Sequence, residues 1–283
     1  MTVLTSPEKV LWPAAGFTKG AMLEYYGSVA PALLPHLEGK PVTLRRFPDG
    51  LEGRSWFQNE CPGASRRPSF VRTARVTLGG GREWAFCVID NEETLLWAAN
   101  LGTIELHPLL FSADLPTEPR AVVFDLDPGP PAGLAECCRV ACRLREVLAE
   151  TGIRSFPKTS GSVGLHVYVP LGPGHSFAHT KAFARGLAAR LAREEEGVVD
   201  MQARAQREGK VLVDWGQNDA ARSLVAPYSL RAAGWPTVST PLSRDEVENG
   251  SELLVFEPQE VLERIRRLGD LFAPVLSLEQ SLP

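Results

Sequence analysis

The sequence contains no run of about 18 consecutive apolar residues, so we expect no helix that spans a membrane. Its first residues also lack the basic start and apolar stretch of a secretory signal. Internal repeats and long linkers are absent too. We therefore expect the 283 residues to form one large domain or two intimately packed lobes. A hydrophobic content of 44% with 23% charged residues is typical of a globular protein.

Cysteines at a paired spacing are also missing from the sequence. The chain has five cysteines, an odd number, and no two of them have the C-x-x-C spacing. This predicts reduced thiols and a cytoplasmic location. Cys138 and Cys142 lie four residues apart on a predicted helix with no histidine nearby, which favours packing over zinc binding.

Strong positive charge is the third absence, since the formal net charge is -4. This argues against a surface coated with nucleic acid, but it allows a local basic groove. The basic residues are clustered at residues 45–46 and 66–67 and in the set Arg204, Arg207 and Lys210. Solvated surface is the alternative reading of each cluster.

Two aspartates follow a short apolar strand in the middle of the chain. Residues 122–124 predict a buried β-strand that leads into Asp125 and Asp127 and is ended by the Pro-Gly pair after them. Residues two apart on a strand point to the same side, which is unfavourable for two carboxylates unless a cation or a proton lies between them. Carboxylate oxygens suit magnesium or manganese. A surface turn rich in aspartate is the alternative.

A second strand ends in an acid, because residues 211–213 are apolar and are followed by Asp214. Three carboxylates that converge from two strands can hold a pair of divalent cations for phosphoryl transfer. Buried salt bridges use the same residue types, so the spacing alone does not decide between them.

A glycine turn follows in the segment from Thr159 to His166. Its glycines allow backbone amides to approach an anion, and Ser160 and Ser162 add hydroxyl donors. His166, at the start of the next strand, is placed to donate to a phosphate. No G-K-[ST] follows, so this is not a Walker loop. A tight β-hairpin with a solvent-facing histidine is the alternative.

Further residues suit a site for a nucleotide. Arg207, Gln217 and Arg231 flank Asp214, and phosphate charge needs such partners. The alternative is that the arginines are surface residues. His107 ends a predicted strand. It either faces a ligand or makes its hydrogen bonds with nearby residues at the strand end. The aromatic pair at residues 56–57 can stack on bases, although one buried and one exposed ring is equally compatible with the sequence.

The periodicity predicts an α+β fold, because strands and helices mix without regular βαβ alternation. Residues 51–83 are rich in Gly, Arg and Pro and predict irregular or edge structure. The predicted helices are 19–37, 92–101, 133–151, 176–196 and 257–268, and the predicted strands are 42–47, 84–89, 103–107, 122–124, 156–159, 165–169, 211–214 and 223–226.

Together these motifs resemble the polymerase domain of the bacterial multi-domain DNA ligase D, a branch of the archaeo-eukaryotic primase superfamily. The resemblance covers nearly the whole chain in many ordered blocks. The blocks are Pro7-Glu-Lys-Val-Leu-Trp-Pro13, Thr18-Lys19, Arg46-Phe-Pro-Asp-Gly50, Glu105-Leu-His107, Phe124-Asp-Leu-Asp-Pro-Gly129, Thr159-Ser-Gly-Ser162, Gly164-Leu-His-Val-Tyr168, Gly209-Lys210, Val213-Asp-Trp215, Gln217-Asn218 and Ala226-Pro-Tyr-Ser-Leu-Arg231.

The resemblance implies a template-dependent DNA/RNA polymerase that prefers ribonucleotides. Such an enzyme fills gaps and extends ends with a 5′-phosphate in DNA repair or non-homologous end joining. It implies two Mn²⁺ or Mg²⁺ ions per site, and nucleoside triphosphates and gapped or broken duplex DNA as ligands. Ku and a DNA ligase are implied as separate partner chains, with a location at the bacterial nucleoid and no membrane contact. The implied fold is an RRM-like catalytic lobe over about 116–283, packed with an N-terminal α/β lobe over about 1–115.

Roles for single residues also follow from the resemblance. Asp125, Asp127 and Asp214 match the catalytic, metal-binding acids. Lys9 and Lys19 match lysines that hold the downstream 5′-phosphate. The positions that match residues around the incoming nucleotide are Arg45, Trp56, Phe57, His107, Ser160, Ser162, His166, Arg207, Gln217 and Arg231.

Three positions depart from the family pattern. Val163 replaces a lysine of the glycine turn, Arg45 replaces a lysine near the site, and Trp56 replaces a phenylalanine. Loss of one charge-assisted hydrogen bond at Val163 weakens nucleotide binding by ~1.5–3 kcal/mol. Two alternatives remain: a primase that starts RNA chains de novo, for which the same acids would serve, and a catalytically weak DNA-end binding module, which the departure at Val163 suggests. The chain ends without ligase or nuclease modules, so we expect a free-standing relative.

Overall fold

The computed structural model describes residues 4–200, 207–250 and 254–283, and Arg204 of the predicted basic cluster lies outside these ranges. The strands are β1 (Val10–Trp12), β2 (Phe17–Thr18), β3 (Pro41–Arg46), β4 (Trp56–Gln58), β5 (Arg72–Leu78), β6 (Arg82–Val88), β7 (Thr103–Pro108), β8 (Ala121–Pro128), β9 (Phe156–Thr159), β10 (Leu165–Pro170), β11 (Val198–Val199), β12 (Val211–Asp214), β13 (Leu230–Ala232) and β14 (Pro236–Val238). The helices are α1 (Lys19–Leu37), α2 (Glu92–Asn100), α3 (Leu134–Ala149), α4 (Phe177–Glu194), α5 (Arg244–Asn249), α6 (Pro258–Leu268) and α7 (Pro274–Ser277), with a 3-10 helix over Pro13–Ala15. Among the described residues, no helix is long and apolar enough to cross a bilayer.

The described chain divides into two compact units. The first comprises the chain up to residue 116 with residues 223–239 and 256–269, and the second comprises residues 117–222, 240–255 and 270–283. Each unit has its own sheet, and helices and strands are mixed without parallel βαβ repeats. The predicted α+β class is confirmed.

The first unit is built on a sheet with the strand order β4-β3-β6-β5, to which β7 adds by pairing with β3. Helix α1 packs its apolar stripe into the core of this unit. Met22, Tyr26 and Leu33 recur at helical spacing on that stripe and are fully buried. The Tyr26 hydroxyl donates to the Ile104 carbonyl of β7 at 2.5 Å, which satisfies the one polar atom of this side chain.

A disulfide in the first unit corrects the cysteine prediction. Cys61 and Cys87 are bonded, with a Cα–Cα distance of 4.9 Å that lies in the normal range for a bridge. The Cys61 amide donates to Ala85 O of β6 at 2.7 Å, so the loop after β4 runs beside the strand that carries Cys87. The prediction of reduced thiols is therefore wrong for this pair, because partners distant in sequence leave no spacing signal. Cys137, Cys138 and Cys142 keep their thiols.

The second unit has the strand order β11-β12-β8-β10-β9. Its chain order from β8 to β12 includes the β-α-β-β-α-β arrangement of ferredoxin-like and RRM-like folds. The pairs β12–β8, β8–β10 and β10–β9 are antiparallel, and only the short edge strand β11 is parallel to its neighbour. Helices α3 and α4 pack on β8. This sheet positions the predicted acids.

Two local predictions have different outcomes. The segment 51–83, predicted to be irregular or edge structure, contains β4 and β5, which are the two edge strands in the order β4-β3-β6-β5, so its edge position is confirmed. Strand β5 pairs with β6 along its whole length. The other prediction was wrong. The predicted strand 223–226 is not formed. There, an isolated bridge from Ser223 to Leu109 and a hydrogen bond from the Ala226 amide to Leu106 O hold extended chain against β7.

Candidate active site

Asp125 lies at the centre of one face of the sheet in the second unit. It is directly opposite Asp214 of β12 and directly opposite His166 of β10. Residues opposite each other in antiparallel strands point to the same face, and Asp127, two positions along β8, points there too. Leu126 between the two acids points to the other face and is fully buried. The structure thus brings the three predicted acids to one face.

The pKa of Asp127 is raised to about 6. Burial is the largest cause, the negative charge of Asp125 is the next, and Asp214 acts in the same direction. The Arg207 guanidinium, with Nη2 at 3.3 Å from Asp127 Oδ2, opposes the shift. The negative charge of the acids on this face therefore exceeds the positive charge that Arg207 supplies, which favours a proton or a cation there.

A cavity of ≈ 400 Å³ lies beside Asp127 and is lined by residues 127–130 and 207–208. Gly129 permits the close approach of the two segments, because a Cβ atom on it would lie 1.8 Å from the Arg207 carbonyl oxygen. The Gly129 amide donates to Lys210 O at 2.8 Å, and the Gly209 amide returns a bond to Gly129 O at 3.0 Å. These bonds hold the backbone next to Arg207 against the end of β8. A larger cavity of ≈ 790 Å³, between α3, α5 and β9, contains no predicted site residue.

The turn after β12 places the side-chain amide of Gln217 beside Asp214 and Asp125. Gln217 Nε2 donates to Asp214 Oδ2 at 3.1 Å and lies 3.4 Å from Asp125 Oδ2. The fully buried Asn218 holds this turn, because its side chain bonds both the amide and the carbonyl of Val123 at 2.8 and 2.7 Å. The Asn218 amide group therefore continues the ladder on β8 where the backbone of β12 ends. Asp214 Oδ1 also accepts from the Gly216 amide at 2.8 Å.

The glycine turn joins β9 to β10. The Ser160 hydroxyl oxygen accepts from the amides of Ser162 and Gly164, each at 3.2 Å, so Ser160 orders the turn from inside. Gly161 has a φ of 74°, and a Cβ on Gly164 would lie 2.2 Å from the Leu126 carbonyl oxygen. Ser162 is exposed, and Val163 is 61% exposed. Val163, one of the three positions that depart from the family pattern, thus faces solvent.

His166 is buried, unlike the solvent-facing histidine of the alternative prediction. Its Nε2 lies 3.3 Å from Asp125 Oδ1, and its Nδ1 lies 3.0 Å from Nζ of Lys158. Lys158 is fully buried. Lys158 is not among the predicted site residues, since a single lysine in a short strand carries no motif.

The donor set on this face fits a hard divalent cation, because carboxylate oxygens surround an excess of negative charge. Asp125, Asp127 and Asp214 are the residues that would hold it. Their oxygens are engaged by Gln217 and Arg207 in this arrangement. Among the described residues, no three His, Cys, Asp or Glu side chains are grouped closely enough to bind one ion as they stand.

A second cluster forms in the first unit around Glu105, which is completely buried. Its carboxylate accepts from His107 Nε2 at 2.7 Å, from Arg45 Nη1 at 2.9 Å and from Arg231 Nη1 at 3.3 Å. The Ala232 amide donates to it at 2.8 Å. Burial by itself raises the pKa of Glu105, but the hydrogen bond from His107 and the charge of Arg231 outweigh it and lower the pKa to about 2. Glu105 is therefore an ionised anchor for three predicted site residues.

The histidine of this cluster is held in one tautomer. An ionised carboxylate only accepts, so His107 carries its proton on Nε2. Burial lowers the pKa of His107, and the charges of Arg231 and Arg45 add to this against the effect of Glu105. A neutral His107 therefore has Nδ1 as a hydrogen-bond acceptor.

Both predicted aromatics on β4 are exposed, Trp56 by 41% and Phe57 by 57%. The Arg46 guanidinium lies 5.2 Å from the Trp56 ring centroid and that of Arg45 lies 5.1 Å from the Phe57 centroid. The Phe57 ring also meets His107 edge-on at 5.4 Å. Exposed rings backed by guanidinium groups suit stacking on a base.

Two predicted arginines have a buried donor without a partner. Among the described residues, only four buried side-chain nitrogen or oxygen atoms lack a hydrogen bond, and two of them are Nε of Arg207 and Nε of Arg231. A buried donor that is left unpaired is unfavourable. Such an atom in an arginine points to an anionic ligand.

Lys9 and Lys19 are neighbours in the first unit. The Lys19 amide donates to Lys9 O at 2.8 Å, and Lys19 Nζ donates to the Thr5 carbonyl at 2.7 Å. Burial lowers the pKa of Lys19, and the positive charge of Lys9 lowers it further. Lys9 Nζ donates to Pro48 O at 2.8 Å and lies 3.3 Å from Asp49. The two like charges, Lys19 at the start of α1 and Lys9 beside it, favour an anion.

A β-α-β-β-α-β sheet with three carboxylates on one face and cationic side chains beside them is the kind of site that transfers phosphoryl or nucleotidyl groups. The family model "LigD, primase-polymerase domain" matches residues 18–272. The multifunctional non-homologous end joining protein LigD of Mycolicibacterium smegmatis is 37% identical over 275 residues, which are 96% of this chain and 36% of that protein. For the bifunctional LigD of Bacillus subtilis the identity is 29%, over 94% of this chain and 42% of that protein.

The polymerase domain of Mycobacterium tuberculosis ligase D in complex with DNA has a similar structure, with a TM-score of 0.92, 32% identity and 99% coverage of both chains. The chain belongs to the LigD primase-polymerase domain family. The resemblance predicted from the sequence is confirmed, and with it the enzyme class, a nucleotidyltransferase of the primase-polymerase type. The chain spans only about a third of the length of the M. smegmatis relative.

Proposed function

We propose that the chain is a template-dependent polymerase that adds nucleotides, preferably ribonucleotides, to DNA ends and fills gaps that have a 5′-phosphate. The observation that carries the proposal is the row of Asp214, Asp125 and His166 across three paired strands. The DNA-bound state of the M. tuberculosis polymerase domain supports a DNA substrate. The repair setting is supported by the names of the LigD relatives, which are non-homologous end joining proteins.

The acids of the second unit would hold two Mn²⁺ or Mg²⁺ ions. When bound, such a pair supplies the charge that activates an attacking hydroxyl and stabilises a leaving pyrophosphate. Gln217 orients Asp214 by its hydrogen bond, and Arg207 brings a positive charge to Asp127. His166 and the ordered turn at Ser160 present donors to the triphosphate, and the unpaired Nε of Arg207 is a further donor.

The cluster of the first unit recognises sugar and base. Glu105 holds Arg45, His107 and Arg231 in fixed positions, so their remaining donors and acceptors are ordered before a nucleotide binds. Phe57 and Trp56 offer exposed ring faces for stacking.

Lys9 and Lys19 bind the 5′-phosphate of the downstream strand. Their proximity supports this role, because burial and then the charge of Lys9 lower the pKa of Lys19, and a bound anion would oppose both effects. A place in the bacterial cytoplasm at the nucleoid, with Ku and a DNA ligase as separate partner chains, is also part of the proposal; the end-joining names of the LigD relatives support only the repair setting.

The test is extension of a labelled primer on a gapped duplex with Mn²⁺ and either ribo- or deoxyribonucleotides. Asp125→Asn and Asp214→Asn should each lower the rate at least ~100-fold, about 2.7 kcal/mol of barrier. Asp245→Asn, an exposed acid on α5, is the matched control and should leave the rate unchanged. Equal rates for wild type and both site variants would rule out the proposed chemistry.

A DNA-end binding module with weak catalysis is the second candidate. The exposed Val163 favours it, because this side chain gives the glycine turn no cation at its solvent-facing position. This candidate predicts tight binding of recessed 5′-phosphate ends without metal-dependent nucleotide addition. Products on unprimed single strands would instead indicate a de novo primase.

A further inference from the structure

Lys158 is a fully buried lysine that the proposed chemistry does not use. It lies on β9 directly opposite His166 of β10, which in turn lies directly opposite Asp125 of β8. The three side chains therefore form a row on one face of the sheet. Burial of a lysine is rare unless its ammonium group has partners.

Distances within the row show how the groups engage. Lys158 Nζ lies 3.0 Å from His166 Nδ1, and His166 Nε2 lies 3.3 Å from Asp125 Oδ1. The ring of Tyr168 lies 5.8 Å from Lys158 Nζ and gives the ammonium group an aromatic neighbour. If Lys158 is an ammonium group, which has three donors and no acceptor, then Nδ1 of His166 is the acceptor and Nε2 carries the proton.

We propose that Lys158 is a positioning residue that holds His166 with its proton on Nε2, so that this N–H faces the carboxylate side of the site. The inference rests on the proposed function for its effect on nucleotide binding, but the tautomer itself does not depend on that function. A donor at this atom suits a phosphate oxygen of the triphosphate. The opposite tautomer would place a nitrogen lone pair toward Asp125 and would repel both the carboxylate and a phosphate.

Lys158 also supplies a positive charge to the row. The glycine turn, which has Val163, supplies no such charge. The charge lies one side chain behind His166 and acts through it on bound anions. Its removal therefore affects the affinity for the nucleotide more than the rate of the bound complex. We expect Lys158→Met to raise KM for the nucleotide roughly tenfold or more with a much smaller change in kcat.

The first test uses protein labelled with ¹⁵N at its five histidines, free of nucleotide and metal. His166→Gln identifies the His166 signals. The wild type should show an unprotonated Nδ1 and a protonated Nε2 at His166. Lys158→Arg keeps a donor and should preserve this pattern, whereas Lys158→Met should lose it. Lys181→Met, which removes a half-exposed lysine of the same unit, is the control and should change nothing.

A protonated Nδ1 in the wild type overturns the proposal, and so does a Lys158→Met spectrum identical to the wild type. The wild-type and Lys158→Arg spectra decide the matter even where Lys158→Met does not fold. In kinetics, Lys158→Met should have no further effect on KM in a His166→Gln background, since the lysine acts through the histidine. Additive effects of the two changes would contradict that route. A wild type with the expected tautomer but no nucleotide addition would refute the proposed function and leave the tautomer assignment standing.

Discussion

The sharpest prediction about stability concerns the buried carboxylate of Glu105. Its side chain is 1% exposed and is bonded by Arg45, His107, Arg231 and the Ala232 amide. Glu105→Gln keeps the shape but removes the charge, so two guanidinium groups lose their counter-charge. We expect a loss of about 3 kcal/mol in the free energy of unfolding at pH 7.

The magnitude follows from the pKa of Glu105, which is lowered from 4.5 to about 2. A difference of about 2.5 pKa units at ~1.36 kcal/mol each is ~3 kcal/mol. Breaking a buried ion pair by removing one partner typically destabilises by ~3–5 kcal/mol, which agrees. Because the pKa is lower in the folded state, this stabilisation is complete above about pH 4.5 and is lost as the pH falls toward 2.

Urea unfolding of wild type and Glu105→Gln at pH 7 and pH 3 measures both quantities. The difference between the two proteins should be ~3 kcal/mol at pH 7 and should shrink to ~1 kcal/mol at pH 3. Glu83→Gln, which removes an exposed acid of the same unit, should stay within ~0.5 kcal/mol of wild type. A difference that does not change with pH would refute the ionised anchor at Glu105.

Two further predictions concern metal binding and the disulfide. Because the pKa of Asp127 is raised to about 6, protons compete with a divalent cation for its carboxylate, and the affinity for Mn²⁺ should fall about tenfold from pH 7 to pH 5. Titration calorimetry at the two pH values measures this affinity. An affinity independent of pH would contradict the assignment of Asp127 as a ligand. The Cys61–Cys87 bridge spans a sequence separation of 26, for which loop-closure entropy gives about 3–4 kcal/mol of stabilisation. Cys61→Ala/Cys87→Ala and chemical reduction of wild type should lower the free energy of unfolding by that amount, and an unfolding curve insensitive to reductant would argue against the bridge.

The elements with strong local signals were predictable. Helix α1 spans Lys19–Leu37 as predicted, because its apolar residues recur at helical spacing and Thr18 caps it by accepting from the Ala21 amide at 3.2 Å. The strands that carry Asp125 and Asp214 were predictable for a similar reason, since in each an apolar run leads into an acid. Local signals of this kind do not need knowledge of a partner.

The structures of β5 and of the segment 223–226 were not predictable, because pairing with a neighbouring segment decides whether each of them forms a strand. Only Val76 is buried on β5, so its alternation is weak, yet β6 pairs with every residue of it. The segment 223–226 is apolar and buried like a strand, but it has too few backbone bonds to a neighbour to continue a ladder. Glu105 belongs to the same class, because Arg45 and Arg231 lie 60 and 126 positions away from it.

Lys158 shows most clearly why register limits what a sequence can reveal. Its position beside His166 depends on the pairing of β9 with β10, which the turn over residues 160–164 sets. A turn one residue longer would shift this pairing and move Lys158 to the other face of the sheet, where no acid lies opposite. Gly164 holds the turn at its length, because only a residue without Cβ can lie against the Leu126 carbonyl. The glycine turn therefore matters as much for aligning Lys158, His166 and Asp125 as for any anion it binds.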